Sequence, residues 1–388
     1  MARCPTLTVT SVIRRFYPEY ARNRRLRAEV LRAASCILEC GTAALGAYVK
    51  RCECGHIEKI CYNSCRHRSC PACSGGQRAK WLERISSDLL PCDHVHVIFT
   101  VPESLNIYWQ FNRRAFADAL LCAARESLTE LLADPRYLGA QPGIISALHT
   151  WGRNLSIHPH VHCLVTAGGL TESGEFVLQQ RETLLPARVL MIVFRAKLIA
   201  KLKSGIAAGR LVVPPSTSAH RSQSLLNRLG RRLWNVRIQE RYKHGVSVAG
   251  YLARYIVGGP IADRRIVAVD DAGVVFRYLD HRTGVERQLR LSGEDFLTRW
   301  FEHVPARGQR TVRRSGLYAN CHASKRRQIR QNVPALEPTV RTARVTALEP
   351  ERCPVCNTLV VAYELDRPVR VRPPVNTRPR PVPLNQPP

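Results

Sequence analysis

The sequence predicts an α+β protein whose largest domain contains a mainly antiparallel sheet flanked by helices. Apolar runs with strand character recur along residues 91–262, helical segments lie between them, and the connecting loops differ in length. The predicted strands cover 95–101, 144–151, 158–166 and 234–239, and the predicted helices cover 104–132, 189–202 and 247–256. Strands joined in this order by helices and longer loops are typical of an α+β domain.

Composition divides the rest of the chain into further segments. Residues 1–45 are predicted to form basic helices, and residues 46–90 are predicted to form a small cysteine-rich zinc-binding domain followed by a helix. Residues 263–330 are predicted to be a small β/α extension that binds DNA. Residues 331–388 are rich in proline and arginine, which predicts a largely disordered tail.

The charge of the chain predicts a polyanionic partner. The 388 residues carry a formal net charge of +29 and a pI near 10.3, far beyond what solubility requires. Nucleic acid is the predicted partner, because Lys and Arg neutralise phosphates and release counterions. A membrane is not, since no apolar run approaches the roughly 18 residues that a spanning helix needs.

The first residues and the cysteines predict a cytoplasmic protein. The chain starts without the continuous apolar stretch of a secretion signal. Six of the 15 cysteines crowd into the segment from Cys52 to Cys73 in short pairs. This pattern fits metal ligation in a reducing compartment better than a disulfide framework.

The paired cysteines predict a structural Zn²⁺ site. Small turn residues accompany each pair, so that each can place two sulfurs at the corners of a tetrahedron. The predicted ligands are Cys52, Cys54, Cys70 and Cys73. Residues close enough to replace or join them are Cys61, Cys65, His56 and His67. A further pair, Cys353 and Cys356, has no obvious partner pair, so a second zinc stays open.

The segment His158-Pro-His-Val-His162 predicts a second metal site. Side chains alternate in a strand, so His160 and His162 share one face while Val161 faces the core. Two imidazoles and a third ligand can hold Mg²⁺ or Mn²⁺ and leave positions open for a phosphate. The sequence leaves the third ligand open among His96, His149, Gln239 and Glu240.

The segment Tyr251-Leu-Ala-Arg-Tyr255 predicts a pair of nucleophiles. On a helix, residues four apart lie on one face, so Tyr251 and Tyr255 would present two phenols to one space. A phenol with a pKa near ~10 needs a cation or base nearby before it attacks. Lys243, Arg241 and Arg254 are near enough in sequence to help or to bind phosphate. Combined with the histidines and the charge, this pair predicts cleavage of a DNA strand by tyrosine.

Five segments match a known family in order and spacing. They are 63–73 (NSCRHRSCPAC), 99–105 (FTVPESL), 149–152 (HTWG), 158–162 (HPHVH) and 251–261 (YLARYIVGGPI). In these residues the chain resembles the rolling-circle insertion-sequence transposases with two catalytic tyrosines, members of the HUH endonuclease superfamily. The resemblance implies an HUH-type sheet in residues 91–262 and an N-terminal transposase zinc-binding domain.

The resemblance also implies roles for individual residues. His160 and His162 would ligate the catalytic metal, and Tyr251 and Tyr255 would attack single-stranded DNA at the ends of a mobile element. Each attack would leave a 5′-phosphotyrosine link and a free 3′-hydroxyl. The single residue between Cys52 and Cys54 departs from the family's usual pair.

Two other functions stay open at this point. One is a plasmid relaxase or replication initiator, which would use the same chemistry. The other is a noncatalytic, zinc-dependent DNA-binding protein. The sequence does not give the oligomeric state.

Overall fold

The computed structural model of the chain divides into two compact units. The first unit comprises residues 1–38 and 65–348, and the second comprises residues 39–64 and 349–388. The predicted zinc-binding segment 46–90 is therefore divided between the two units. The residues that the structure describes are 7–22, 24–243, 249–250, 252–253, 259–280, 283–332 and 351–364.

Helices and strands alternate along most of the chain. The α-helices whose two ends both lie in the described residues are α1 (Val9–Arg22), α2 (Ala28–Glu39), α3 (Ser74–Asp88), α4 (Asn106–Phe111), α5 (Arg113–Ala133), α6 (Ala187–Ala207), α7 (Ala219–Leu229), α8 (Gly293–Glu302) and α9 (Ala323–Asn332). The strands are β1 (Ala47–Arg51), β2 (Glu58–Tyr62), β3 (His94–Thr100), β4 (Gln141–Trp151), β5 (Ile157–Leu170), β6 (Phe176–Leu178), β7 (Asn235–Tyr242), β8 (Ile266–Asp270), β9 (Gly273–Leu279), β10 (Glu286–Leu291), β11 (Val312–Gly316) and β12 (Val361–Glu364). Short 3₁₀ turns cover Ala43–Leu45, Glu103–Leu105, Asp263–Arg265 and Asn320–His322.

The main sheet of the first unit is antiparallel, in the order β11-β4-β5-β3-β7, with β6 also paired to β5. The histidine strand β5 lies between β4 and β3 and is buried over most of its length. β11, which the sequence did not predict, pairs with β4 at the edge. The predicted α+β class with a mainly antiparallel sheet is confirmed.

The two faces of the main sheet pack against different helices. On one face Val97, Phe99 and Val161 join the largest apolar core with side chains of α5 and α6. On the other face Ala147 and Leu164 belong to a second cluster with side chains of α3 and α9. Each fully buried apolar side chain of this kind contributes roughly 1.5–3 kcal/mol. Because helices cover both faces of the sheet, the central strands are apolar along nearly their whole length. The few polar residues in these strands are therefore unusual for their position.

The helix predicted over residues 104–132 is interrupted at Asn112. The Asn112 side chain donates from Nδ2 to the Val212 carbonyl at 2.8 Å and accepts at Oδ1 from the Val212 amide at 2.7 Å. These bonds to a distant loop hold Asn112 outside the helical region, with φ −132° and ψ 35°. Local periodicity does not encode this contact, so the sequence predicted one helix where the structure has α4 and α5.

A smaller antiparallel sheet in the first unit contains β8, β9 and β10, with β9 in the centre. α8 packs on it, and the rings of Phe276 and Phe296 lie 6.1 Å apart between centroids. The Ser292 hydroxyl accepts from the amide of Asp295 and caps the start of α8. This sheet lies in the predicted β/α extension, whereas β11 from the same segment joins the main sheet.

The second unit is built on an antiparallel sheet in the order β12-β1-β2. β12 comes from the predicted disordered tail and pairs with β1, so that Val361 lies opposite Arg51. Residues 351–364 are therefore folded, in contrast to the prediction. Composition alone suggested disorder because it does not reveal a partner strand on the far side of the sequence. Residues 333–350 and 365–388 of the tail lie outside the described residues.

Across the described ranges, none of the helices combines the length and the apolar character needed to span a membrane.

Candidate metal centre

Three imidazoles converge on the face of the main sheet that carries the second apolar cluster. His160 and His162 lie on β5, and His149 lies directly opposite His160 on β4. Directly opposed residues of antiparallel strands point to the same side, so the three rings share one face. Each residue has a ring nitrogen within 4.8 Å of those of the other two. The structure thus brings His149 to the predicted pair, and three nitrogen donors on rigid strands fit a divalent cation.

Burial keeps these imidazoles neutral. Burial lowers the pKa of His160 to about 4. It lowers the pKa of His149 and His162 well below the ordinary value, and repulsion from the neighbouring histidines adds to the effect. A neutral imidazole offers the lone pair that a metal ion requires. His149 and His162 are buried, and His160 as a residue is half-buried.

Hydrogen bonds determine which nitrogen of each ring faces the centre. His160 donates from Nδ1 to the carbonyl of His158 at 2.6 Å, which leaves Nε2 with its lone pair. His96 donates from Nδ1 to Oε1 of Gln239 at 2.7 Å. Its Nε2 therefore accepts from Nδ1 of His162, also at 2.7 Å, and Nε2 of His162 keeps its lone pair. Carbonyl and amide oxygens thus fix both tautomers in the form suited to ligation.

The other three candidates for the third ligand have different positions and contacts in the structure. His96 supports His162 through a hydrogen bond, and Gln239 supports His96. The hydroxyl of Tyr242 also donates to Oε1 of Gln239, at 3.2 Å, so that oxygen accepts two bonds. Glu240 is exposed. Sequence spacing alone could not separate these roles, because the register of β3 against β5 and that of β7 against β3 determine them.

Replacing Gln239 with leucine is expected to weaken Mn²⁺ binding. Without the Oε1 acceptor, His96 can adopt the other tautomer, in which its Nε2 carries the proton. His96 then no longer accepts from Nδ1 of His162, and the lone pair of His162 Nε2 is no longer fixed toward the metal. Loss of such an outer hydrogen bond typically costs ~10–100-fold in metal affinity. Calorimetric titration with Mn²⁺ measures the change, and Gln239→Glu, which keeps an acceptor oxygen, should restore most of it. Unchanged affinity in Gln239→Leu would contradict the assigned tautomers.

The predicted nucleophiles, Tyr251 and Tyr255, lie outside the described residues, as does Arg254. The two other basic residues near them in sequence are described. Arg241 donates to the backbone carbonyl of Gln179 at 3.2 Å and to that of Arg181. Lys243 is exposed at the end of β7.

Residues that flank Tyr251 in the sequence pack on the histidine face of the sheet. Ala249 and Leu252 are helical and buried, and they belong to the same apolar cluster as Ala147. Ala147 lies directly opposite His162 on the neighbouring strand. The packing therefore places Ala249 and Leu252 on the sheet face that carries the imidazoles.

The structure distributes the predicted zinc ligands between two sets of cysteines. Cys52 and Cys54, in the second unit, lie with Cys353 and Cys356. The four sulfur atoms are within 4.8 Å of one another. Cys353 and Cys356, for which the sequence showed no partner pair, thus lie beside the predicted ligands Cys52 and Cys54.

The other predicted pair lies in the first unit. Cys70 and Cys73 are grouped with Cys65, and their sulfur atoms also lie within 4.8 Å of one another. The sulfurs of Cys65 and Cys73 are 3.7 Å apart. Cys65 was named from the sequence as a possible replacement ligand, because it lies close to the pair along the chain.

The fold and the histidine cluster define an α+β domain with a candidate metal centre, joined to cysteine sets suited to zinc. Two family models match the chain. The family described as "Putative transposase" matches residues 143–326, which include His149, His160 and His162. The family described as "Transposase zinc-binding domain" matches residues 12–101.

Similar full-length proteins carry the same description. "Putative transposase y4qJ" of Sinorhizobium fredii is 32% identical over 369 residues, covering 90% of this chain and 92% of that protein. "Transposase for insertion sequence element IS801" of Pseudomonas savastanoi pv. phaseolicola is 33% identical over 293 residues, covering 73% of this chain and 69% of that protein. The chain belongs to this family of insertion-sequence transposases, and the predicted family is confirmed.

Solved structures of a conjugative relaxase are more distant. The metal-bound complex of TrwC with oriT DNA is 14% identical, covers 42% of this chain and 72% of that chain, and has a TM-score of 0.24. The complex of TrwC with a 27-mer DNA comprising the recognition hairpin and the cleavage site is 13% identical. The match covers 42% of this chain and 73% of that chain, with a TM-score of 0.23.

Proposed function

We propose that this transposase nicks and rejoins single-stranded DNA, at the ends of a mobile element, through a covalent link between tyrosine and phosphate. The observation that carries the proposal is the convergence of His149, His160 and His162 as neutral imidazoles on one sheet face. The packing of Ala249 and Leu252 in the apolar cluster of that face supports it. The net charge of +29 favours DNA as the partner.

The proposed step transfers a phosphodiester bond from DNA to the protein. The phenolic oxygen of Tyr251 or Tyr255 attacks a backbone phosphorus as the bond from phosphorus to the 3′-oxygen breaks. The phenol gives up its proton to solvent or a nearby base, and the departing 3′-oxygen takes up a proton. The 5′-phosphate stays on the tyrosine. One phosphodiester replaces another, so the reverse attack by a 3′-hydroxyl can rejoin DNA without ATP.

The residues around the candidate metal centre fix the orientation and tautomer of the imidazoles. The carbonyl of His158 fixes the ring of His160, and Gln239 acts through His96 to fix the ring of His162. A divalent cation held there would offset the charge of the scissile phosphate and polarise phosphorus toward attack. Imidazole ligands suit Mn²⁺ better than Mg²⁺, which prefers oxygen, so Mn²⁺ is the better probe of the site.

The second tyrosine extends the reaction from one cleavage to two. While the first tyrosine is linked to DNA, the other can attack a second phosphate, and the free 3′-hydroxyl of one strand can then displace either link. Residues four apart on a helix lie on one face, so the sequence predicts that both phenols are on the same side. A strand can in this way be cut at one place and joined at another by one protein chain.

Incubation of the protein with single-stranded DNA from the element's ends tests the proposal. With Mn²⁺ we expect a covalent adduct that resists denaturation, and peptide mapping should place the DNA on Tyr251 or Tyr255. Chelation of the cation should abolish the adduct while DNA binding persists. Binding without any adduct, at all cation concentrations, would favour a noncatalytic DNA-binding protein and overturn the proposal.

A further inference from the structure

The second unit contains two cysteine loops with the same backbone closure. In the loop after β1, the amide of Cys52 donates to the carbonyl of Ile57 at 3.1 Å. In the loop before β12, the amide of Cys353 donates to the carbonyl of Thr358 at 3.0 Å. Both bonds span five residues. Each loop carries two cysteines, and each turns through a residue with positive φ just after the second cysteine.

The residues with positive φ are Gly55 at +74° and Asn357 at +55°. Glycine and asparagine tolerate this left-handed conformation better than other residues. Backbone amides also point at the sulfurs: that of Ile57 lies 3.1 Å from Sγ of Cys52, and that of Val355 lies 3.4 Å from Sγ of Cys353. Amide donors at sulfur stabilise a thiolate, because they favour its charged form.

The sulfur atoms of the two loops have the spacing of a tetrahedral zinc site. Sγ of Cys54 lies 3.5 Å from that of Cys52 and 3.7 Å from that of Cys353. With Zn–S bonds of about 2.3 Å, the corners of a regular tetrahedron are about 3.8 Å apart. Cys356 completes the set, with its sulfur within 4.8 Å of the other three. Four cysteine sulfurs this close, two from each of two turns, are arranged as ligands.

The described residues of the second unit form few other stabilising contacts of the kind that a buried core provides. Among its described residues, the buried apolar side chains are small ones: Cys40, Ala47, Cys52 and Cys353. Four large apolar side chains of its sheet are exposed, including Ile60 at 55% and Tyr363 at 57%, while Tyr48 and Val49 are half-buried. The ion pair between Lys50 and Glu351, at 2.7 Å, is exposed on both sides and contributes little. A sheet without a core of its own commonly depends on a metal or a disulfide for stability.

We propose that Cys52, Cys54, Cys353 and Cys356 bind one structural Zn²⁺, which joins the C-terminal strand β12 to the N-terminal hairpin β1–β2. Four thiolates with tetrahedral spacing select zinc or an iron–sulfur centre, and a closed set of this kind contributes folding energy. The zinc-binding domain is then discontinuous in sequence. The matched zinc-binding family segment, residues 12–101, contains only half of the ligands.

Metal analysis of the purified full chain tests the proposal directly. The double variant Cys353→Ser/Cys356→Ser is expected to carry one Zn²⁺ per chain fewer than the parent. Cys321→Ser is the matched control, because Cys321 is exposed and belongs to neither set of cysteines, and its zinc content should equal that of the parent. A soluble double variant with the parental zinc content would overturn the proposal. The proposal would also be overturned if the metal that the parent carries and the double variant lacks were iron.

Alkylation of the parent protein tests the same site without any substitution. Cys54 and Cys321 are both exposed, so a free thiol at either position should react readily with iodoacetamide. We expect Cys321 to be modified at once and Cys54, Cys353 and Cys356 to be protected until a chelator removes the metal. Modification of Cys54 at the rate of Cys321 before chelation would overturn the proposal, even if the double variant proves insoluble. Neither measurement depends on DNA cleavage.

Discussion

Replacing Tyr251 and Tyr255 together with phenylalanine is expected to abolish the covalent DNA adduct while leaving DNA binding within about twofold of the parent. Phenylalanine keeps the ring and removes only the hydroxyl, so the attacking oxygen is lost with little change in side-chain size. The remaining groups of the site can still bind the phosphate but cannot form the new bond to phosphorus. Denaturing gel electrophoresis measures the adduct, and fluorescence anisotropy measures binding.

The single variants separate the roles of the two phenols. Each of Tyr251→Phe and Tyr255→Phe should retain one adduct, while only the parent should yield a chain linked to two oligonucleotides, which intact-protein mass spectrometry resolves. Tyr137→Phe is the matched control, because Tyr137 packs against the main apolar core through its ring. An adduct at the parental level in the double variant would place the nucleophile elsewhere.

Four strands of the main sheet, β3, β4, β5 and β7, were predictable because their signal is local. Alternation along residues 158–166 placed His160 and His162 on one face, and the apolar run at 95–101 identified the neighbouring strand. The break at Asn112 and the edge strand β11 were not predictable. Each depends on a partner far away in sequence: the backbone of Val212 for Asn112, and β4 for β11.

The candidate site was likewise predictable only where the signal is local in sequence. Two of its imidazoles come from one strand and could be paired by spacing alone. The third depends on the register that sets His149 opposite His160, and the supporting role of His96 depends on a different register, which sets it opposite Leu164. The sequence therefore left four side chains open as the third ligand, and strand pairing separates the converging imidazole of His149 from the supporting one of His96.

The cysteines illustrate the limit of spacing arguments most clearly. Cys52 and Cys54 lie near Cys70 in sequence, and proximity suggested one site. In the structure the pair at 52 and 54 meets Cys353 and Cys356 instead, because β12 pairs with β1. The same pairing explains why residues 351–364 are ordered although their composition resembles a tail.

Replacing His149 with alanine is expected to reduce metal-dependent cleavage by about a thousandfold, with DNA binding largely intact. Cation stabilisation of the reacting phosphate supplies several kcal/mol, and each ~1.4 kcal/mol is a factor of ten in rate. His149 is buried on the same sheet face as both β5 imidazoles, and its ring centroid lies 4.0 Å from that of His162 and 5.2 Å from that of His160. Its loss leaves two donors, too few to hold the cation against competition from water.

His158→Ala is the matched control for this prediction. The ring of His158 lies 5.1 Å from that of His160, but His158 is absent from the set of converging donors. Its backbone carbonyl, which fixes the tautomer of His160, remains in the alanine variant. We therefore expect His158→Ala to keep Mn²⁺ affinity and cleavage near those of the parent. Equal losses of cleavage in the two variants, or a loss of DNA binding in His149→Ala as large as its loss of cleavage, would contradict the assignment of His149 as the third ligand.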